Sequence, residues 1–279
     1  MHKDWPDSEV ILKVENLVVS FEFESGRLPA VGDISFELRK GKILGIVGES
    51  GCGKSVTALS IMRLLPQPSG VIDNGRVLFD GKDIVGMPVE EMQNIRGKKI
   101  SMIFQDPISS LNPRREVGEI VAEPLSVWGP KNKEKQKALV DEMLNAVGID
   151  PDVARNKRPH EFSGGQGQRI SIARSLVLEP EVLICDEPVS ALDVSVQAQI
   201  LNLLEDLKKK YNLTLIFIAH DLAVVKNISD RVAVMYLGKI CEVAGSDELY
   251  ENPAHPYTQL LLVSSPEPDP TVVLDRSDT

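Results

Sequence analysis

Gly48, Glu49, Ser50, Gly51, Cys52, Gly53, Lys54 and Ser55 fit the pattern G-x-x-x-x-G-K-[ST], and this stretch constrains the fold more tightly than any other. Its flanks fit as well. The apolar run Ile43-Leu44-Gly45-Ile46-Val47 reads as a buried strand, and Val56 to Leu65 reads as a helix stopped by Pro66. Strand, glycine-rich turn and helix form the context that a phosphate loop needs. The three glycines let the backbone curl until several N–H groups converge, and the helix N-terminus adds partial positive charge there. Lys54 is expected to reach the β- and γ-phosphates of a nucleotide, and the Ser55 hydroxyl to take a position on Mg²⁺. Val56 closes the candidate nucleotide-binding stretch.

With 279 residues the chain can bury a full core, as one large or two modest domains. A net charge of −10 argues against nucleic acid as partner, because binders of duplex or single strands present a basic face. Cys52, Cys185 and Cys241 are scattered without C-x-x-C spacing, which predicts reduced thiols rather than disulfides or a metal site. No apolar run approaches the ~18 residues needed to span a bilayer. The charged start (His2, Lys3, Asp4, Asp7) is not that of a signal peptide. If the protein works at a membrane, a partner is expected to do the spanning.

Leu12 to Glu24 alternates, with Val19, Phe21 and Phe23 on one face and Ser20, Glu22 and Glu24 on the other, as in a half-buried strand. A loop holding Gly26 and Pro29 should lead to a strand around Ile34 to Leu38, and the Lys40-Gly41 turn into the phosphate loop's strand. Val77-Leu78-Phe79 followed by Asp80-Gly81 is a hairpin signal, so an antiparallel layer should wrap the parallel core. From about Met87 to Ser171 strand signals fade. Lys133 to Val147 carries Leu139, Met143, Leu144 and Val147 at helical spacing, and Gly148 ends it. Residues 87–171 are therefore expected to form a helical subdomain inserted in an α/β core. Strand texture returns at Val182-Leu183-Ile184, then a helix with Val196, Ile200, Leu203, Leu204 and Leu207 on one stripe. The strand Leu213 to Ala219, a short helix to Ile228 and paired strands from Val232 to Val243 follow. Alternating strand and helix indicates a sheet with the nucleotide at the carboxyl ends of its strands. The chain carries no internal repeat, and its Pro- and Asp-rich end from Pro266 is expected to be loose.

Val182-Leu183-Ile184-Cys185-Asp186-Glu187 is an apolar strand ending in two carboxylates. There Asp186 can hold the Mg²⁺ shell, and Glu187, one residue further, can face the γ-phosphate and orient or deprotonate water. Taken alone, the pair is also what any surface strand end looks like. Ser163-Gly164-Gly165-Gln166 precedes a helix carrying Ile170, Ala173, Leu176 and Val177. Ser163 is a good N-cap and the glycines allow close approach, which makes this either a second anion site or a capped helix behind a flexible loop.

In chain order the phosphate loop is followed by Gln105, Ser163-Gly164-Gly165-Gln166, the strand ending Asp186-Glu187, Ser190-Ala191-Leu192-Asp193 and His220. Over roughly Leu12 to Ser265 this resembles an ABC transporter ATPase subunit, a P-loop NTPase core of ABC ATPase type with an antiparallel β layer and an inserted helical subdomain. The resemblance implies an ATPase domain over 10–250 and a short tail over 251–279. It implies two copies paired head to tail, with ATP between one subunit's 48–55 loop and the other's 163–166 segment. Glu187 is then the general base, Gln105 touches Mg²⁺ or the attacking water, His220 contacts the γ-phosphate and Asp193 lies at the dimer seam. Lys54, Gln105, Glu187 and His220 form the implied catalytic set, and Ser55, Gln105 and Asp186 the implied Mg²⁺ set. Phe21, or else Phe23, stacks on the adenine, although pattern alone makes both core aromatics; His220 by pattern alone is a satisfied core or surface histidine. Phe162 stands where the family usually has Leu, and Gly167 follows the signature; neither removes a phosphate donor.

Four stretches sharpen the resemblance: Gln105-Asp106-Pro107 through Arg114, His160-Glu161-Phe162-Ser163, Pro188 to Gln199, and Asn252-Pro253 through His255-Pro256-Tyr257-Thr258. Together they are similar to the oligopeptide/dipeptide (and nickel) importer branch, whose relatives also include oligosaccharide importers. His255 is a branch signature and is assigned no chemistry. The branch implies an identical or paralogous ATPase partner, two transmembrane permease subunits, a substrate-binding protein outside, and a place on the cytoplasmic face of the plasma membrane. Many members carry a Cys-rich tail for an iron–sulfur cluster; the chain stops at Thr279 without one, and no cluster is expected. Two other readings compete. A soluble ABC-type ATPase acting on nucleic acid or ribosomes should carry two phosphate loops, coiled-coil arms or basic patches. A non-catalytic scaffold should lack Glu187 and His220.

Overall fold

The computed structural model describes residues 8–106 and 109–264. From the N-terminus, β1 (Val10–Phe23) and β2 (Gly26–Arg39) form a long hairpin, followed by β3 (Ile43–Val47) and α1 (Lys54–Ile61). The short hairpin of β4 (Gly70–Phe79) and β5 (Lys82–Asp83) comes next, then α2 (Val89–Gln93) and β6 (Ile100–Ile103). A helical stretch holds α3 (Val117–Trp128), α4 (Lys133–Ala146), α5 (Pro151–Ala154) and α6 (Gly164–Leu176). The chain then alternates through β7 (Val182–Asp186), α7 (Val194–Tyr211), β8 (Thr214–Ala219), α8 (Leu222–Ile228) and β9 (Arg231–Tyr236). β10 (Lys239–Gly245), α9 (Ser246–Glu251) and α10 (Pro256–Ser264) complete it.

Two sheets result, one antiparallel in the order β2-β1-β4-β5 and one of six strands in the order β10-β9-β3-β8-β7-β6. In the second only the β9–β10 pair is antiparallel. Its central strands alternate between two cores. Ile43, Val47, Leu183, Cys185, Leu215 and Phe217 pack with the helices, while Leu44, Ile46, Val182, Ile184, Ile216 and Ile218 pack with the antiparallel sheet. Both faces are thus dry, which is why these strands read as continuous apolar runs.

The antiparallel layer is built as expected at the second hairpin, where Asp80 (φ 49°) and Gly81 (φ 73°) form a two-residue turn with both residues left-handed. The first hairpin differs. Gly26 and Pro29 lie inside β2 rather than in a loop, because Phe23 pairs with Gly26 and Ser20 with Pro29. Repeated bulges in β1 also break the alternation at Ser20, which is 3% exposed, and Phe23 is 55% exposed rather than core. α1 ends at Ile61, four residues short of the expected stop. Arg63 takes φ 51°, its amide returns to Ser60 O and that of Leu64 to Leu59 O, which closes the helix without a glycine. α4 starts and stops as read: the Asn132 side chain accepts from the Glu134 and Lys135 amides, and Gly148 (φ 74°) follows its end. The end of the chain from Pro266 and Pro107 of the Gln105 stretch lie outside the described residues.

β6 was not legible in the periodicity. It pairs with β7 in parallel, Ile103 against Cys185, and so carries the chain just beyond it to the same sheet edge as Asp186.

Candidate active site

Four adjacent parallel strands end at one level. Val47 of β3 lies opposite Ala219 of β8, Ile218 opposite Asp186 of β7, and Cys185 opposite Ile103 of β6. Their carboxyl ends deliver the 48–55 loop, His220, Asp186-Glu187 and Gln105 to one edge, where ligands of parallel α/β sheets sit.

The loop is held from several sides. At Gly48 (φ 154°) a Cβ would lie 2.1 Å from the Met235 carbonyl oxygen, so only glycine fits. Lys54 is 4% exposed, and its ammonium donates to Gly48 O at 2.8 Å and Glu49 O at 3.0 Å. It lies 3.8 Å from Glu187 Oε1. A buried ammonium needs such partners to offset its desolvation. Ser55 Oγ donates to Asp186 Oδ1 at 2.9 Å. Burial pushes the Asp186 carboxyl above the ordinary carboxylate range, and neighbouring Glu187 adds to this, against the Ser55 hydroxyl and Lys54.

Glu187 is where the site converges. Besides Lys54, its Oε2 accepts from Gln105 Nε2 at 3.2 Å and lies 3.5 Å from His220 Nδ1. Its backbone is left-handed at φ 47°, a conformation that costs a non-glycine residue about 1–3 kcal/mol. The surroundings hold it there: its amide donates to Ile218 O, and its carbonyl accepts from the amide and hydroxyl of Ser190. The turn aims a carboxylate, 11% exposed, into a cleft that it lines with Val189, Ser190, Gln197, Ala219, His220, Asp221 and Val224.

Lys54, Ser55, Gln105, Asp186, Glu187 and His220 therefore meet. Ser163, Gly164, Gly165, Gln166 and Asp193 belong to a different constellation. Ser163 caps α6, its oxygen accepting from the Gln166 amide while the Gln166 side chain accepts from the Ser163 amide. A Cβ on Gly165 would lie 2.6 Å from Val196 Cγ1, so the cap is pressed on the start of α7. Asp193 caps α7, and the Ser195 hydroxyl, then the Val196 amide, hold its carboxyl below the ordinary range. Among the described residues no hydrogen bond or ion pair links this pair of helix caps to the 48–55 loop. Phe21 lies in the antiparallel sheet beside Gly70, with its ring centroid 6.5 Å from that of Phe23.

Sequence reasoning missed one contact with the loop. The Glu49 amide donates to the Tyr257 hydroxyl at 3.2 Å, bringing the His255-Pro256-Tyr257-Thr258 stretch against the 48–55 loop.

A strand, a glycine loop whose lysine turns inward, and a serine at the start of α1 bonded to an aspartate at the end of β7 define a P-loop nucleotide-binding protein. The ABC transporter family model matches residues 31–190, and the oligopeptide/dipeptide transporter C-terminal region matches 241–276. The chain is 51% identical over 257 residues to the oligopeptide transport ATP-binding protein OppD of Bacillus subtilis (strain 168), covering 92% of this chain and 72% of that protein. It is 50% identical over 279 residues to OppF, the oligopeptide transport ATP-binding protein of Escherichia coli (strain K12), covering 96% and 81%. Among solved structures, the dimeric post-hydrolysis state of the ATP-binding cassette MJ0796 bound to ADP and Pi superposes with a TM-score of 0.74, at 25% identity, over 84% of this chain and 98% of that one. CbiO1 from Clostridium perfringens, part of the transporter complex cbiONQ, gives 0.74 at 29% identity, over 88% and 92%. The chain belongs to the ABC transporter family, in the branch of the oligopeptide and dipeptide transport ATP-binding proteins. It is an ATPase. Among the described residues no helix is long and apolar enough to cross a membrane.

Proposed function

We propose that this chain is the ATP-hydrolysing subunit of an importer of oligopeptides or dipeptides. It would work on the cytoplasmic face of a membrane with two permease subunits, a substrate-binding protein and a second ATPase subunit, identical or paralogous. The observation that carries the reading is the convergence of Lys54, Gln105 and His220 on Glu187, beside the Ser55–Asp186 pair.

In this reading the amides of residues 50–55 and Lys54 bind the phosphates, and Glu187 takes a proton from the attacking water. Gln105 and His220 hold that water and the γ-phosphate in line, and Phe21 stacks on the adenine. The segment Ser163 to Gln166 of one subunit, with Asp193 beside it, completes the site of the other. Two features support a shared site: among the described residues no hydrogen bond or ion pair links Ser163–Gln166 to its own chain's loop, and the segment opens α6, a helix N-terminus of the kind that binds anions. Mg²⁺ fits the Ser55 hydroxyl and the buried Asp186 carboxylate, both hard oxygen donors, with Gln105 bonded to the adjacent Glu187. Among the described residues no three His, Cys, Asp or Glu cluster to hold a metal by themselves, and Mg²⁺ characteristically borrows its remaining ligands from phosphate and water. When bound, the ion supplies Lewis-acid stabilisation of the phosphoryl charge. Removal of one preorganised group of this kind costs about 10²–10³ in rate.

The substrate class is tested by reconstituting the subunit with candidate permease and binding-protein partners in vesicles. Stimulation of ATP hydrolysis by peptide-loaded binding protein, but not by oligosaccharide or nickel, is expected. Stimulation by either of the latter alone would reassign the substrate.

A further inference from the structure

The geometry points to Tyr257 as a positioning residue for ATP binding: its hydroxyl fixes the peptide group between Gly48 and Glu49, the entry of the phosphate loop. The inference rests on the reading of residues 48–55 as the ATP phosphate loop.

One peptide group is gripped at both ends. Its carbonyl, Gly48 O, accepts from Lys54 Nζ at 2.8 Å, and its amide, Glu49 N, donates to the Tyr257 hydroxyl at 3.2 Å. The bond is trans, so C=O and N–H point in opposite directions. Tyr257 therefore lies on the side of the loop away from the ammonium that faces the phosphates. It steadies the loop without taking a donor from the ligand. Gly48 at φ 154° is the hinge about which this peptide could flip, since glycine meets little resistance to rotation there. A flip would withdraw Gly48 O from Lys54 and release the ammonium from its set position.

Tyr257 is itself held. It is 7% exposed, its ring centroid lies 4.2 Å from that of Tyr236 on β9, and its amide donates to His255 Nδ1 at 3.1 Å. The Glu242 carboxylate on β10 accepts from the Ala254 and His255 amides at 2.8 and 3.0 Å. The His-Pro-Tyr-Thr stretch is thus anchored to the sheet edge at one end and touches the phosphate loop at the other. Burial pushes the Tyr257 phenol up, so it stays neutral and able to accept from the amide.

The test compares Tyr257→Phe, which removes only the hydroxyl, with Tyr236→Phe, which removes the hydroxyl of the neighbouring ring. Affinity for a fluorescent ATP analogue, steady-state hydrolysis and melting temperature are measured on the full chain. Loss of one net hydrogen bond predicts that Tyr257→Phe raises the analogue Kd and the KM for ATP roughly three- to ten-fold, with kcat within about two-fold and the melting temperature lowered by only about 2–4 °C. Tyr236→Phe should leave Kd and KM as they are. A Tyr257→Phe Kd equal to that of the unsubstituted protein, or an equal rise in Tyr236→Phe, overturns the inference. Failure of the unsubstituted protein to bind the analogue would instead overturn the phosphate-loop reading beneath it.

Discussion

The Ser55 hydroxyl donates to the Asp186 carboxylate at 2.9 Å across 131 residues of chain, joining the first turn of α1 to the end of β7. Asp186 is 4% exposed, and a carboxylate so placed is hard to keep ionised unless a cation joins it.

That burial gives a pH-dependent prediction. A carboxyl raised in the folded state contributes stability at pH below the unfolded value and loses it as pH rises through the folded value. In Mg²⁺-free buffer Asp186→Asn should therefore melt higher than the unsubstituted protein at pH 8, and the advantage should shrink towards pH 5. Thermal melts across this range check it; a constant difference, or one that grows on acidification, would remove the burial argument.

Glu187→Gln keeps the size of the side chain and one acceptor oxygen, for Gln105 or Lys54, while removing the base. Turnover should be lost and an ATP-bound dimer should accumulate, read by light scattering after size-exclusion chromatography. A variant that stays monomeric with ATP and Mg²⁺ would deny Glu187 its role.

Ser163→Ala removes the α6 cap, which costs about 1 kcal/mol of stability. It should also slow hydrolysis while leaving ATP affinity of the dilute monomer within about two-fold, given that one of a set of phosphate donors supplied by the other subunit is lost. Weaker binding by the monomer would mean that Ser163 serves its own chain's site.

Two glycines of the loop should differ. Gly51 (φ 81°) has no atom near its missing Cβ, so Gly51→Ala meets backbone strain of about 1–2 kcal/mol. At Gly48 the Cβ would also strike the Met235 carbonyl at 2.1 Å, and Gly48→Ala should cost about 3 kcal/mol or more. Urea unfolding of both variants decides; equal losses would show that the β9 backbone yields.

Most of the parallel core was legible because its strands are dry on both faces and so leave long apolar runs, as at Ile43–Val47 and Val182–Asp186. The loop was legible because its chemistry demands fixed residue types at fixed spacing. β6 escaped because a four-residue run, Ile100-Ser101-Met102-Ile103, is too short for strand and helix periods to separate. β1 was read with the wrong face at Ser20 because bulges reset the period, and nothing local in the residues announces a bulge. The Tyr257 contact spans 208 residues, and no single sequence carries that pairing. The left-handed turn at Glu187 was equally silent: residue type alone gives no sign that a glutamate will be held at φ 47°.

The central claim is that one chain's Gly48-to-Ser55 loop and another's Ser163-to-Gln166 cap make one site. The direct measurement is ATP hydrolysis per subunit against protein concentration, alone and with the co-purified membrane subunits. The account predicts a rate per subunit that climbs steeply with concentration and with the membrane partner. A flat rate, indifferent to both, would mean that each chain hydrolyses ATP alone and would contradict it.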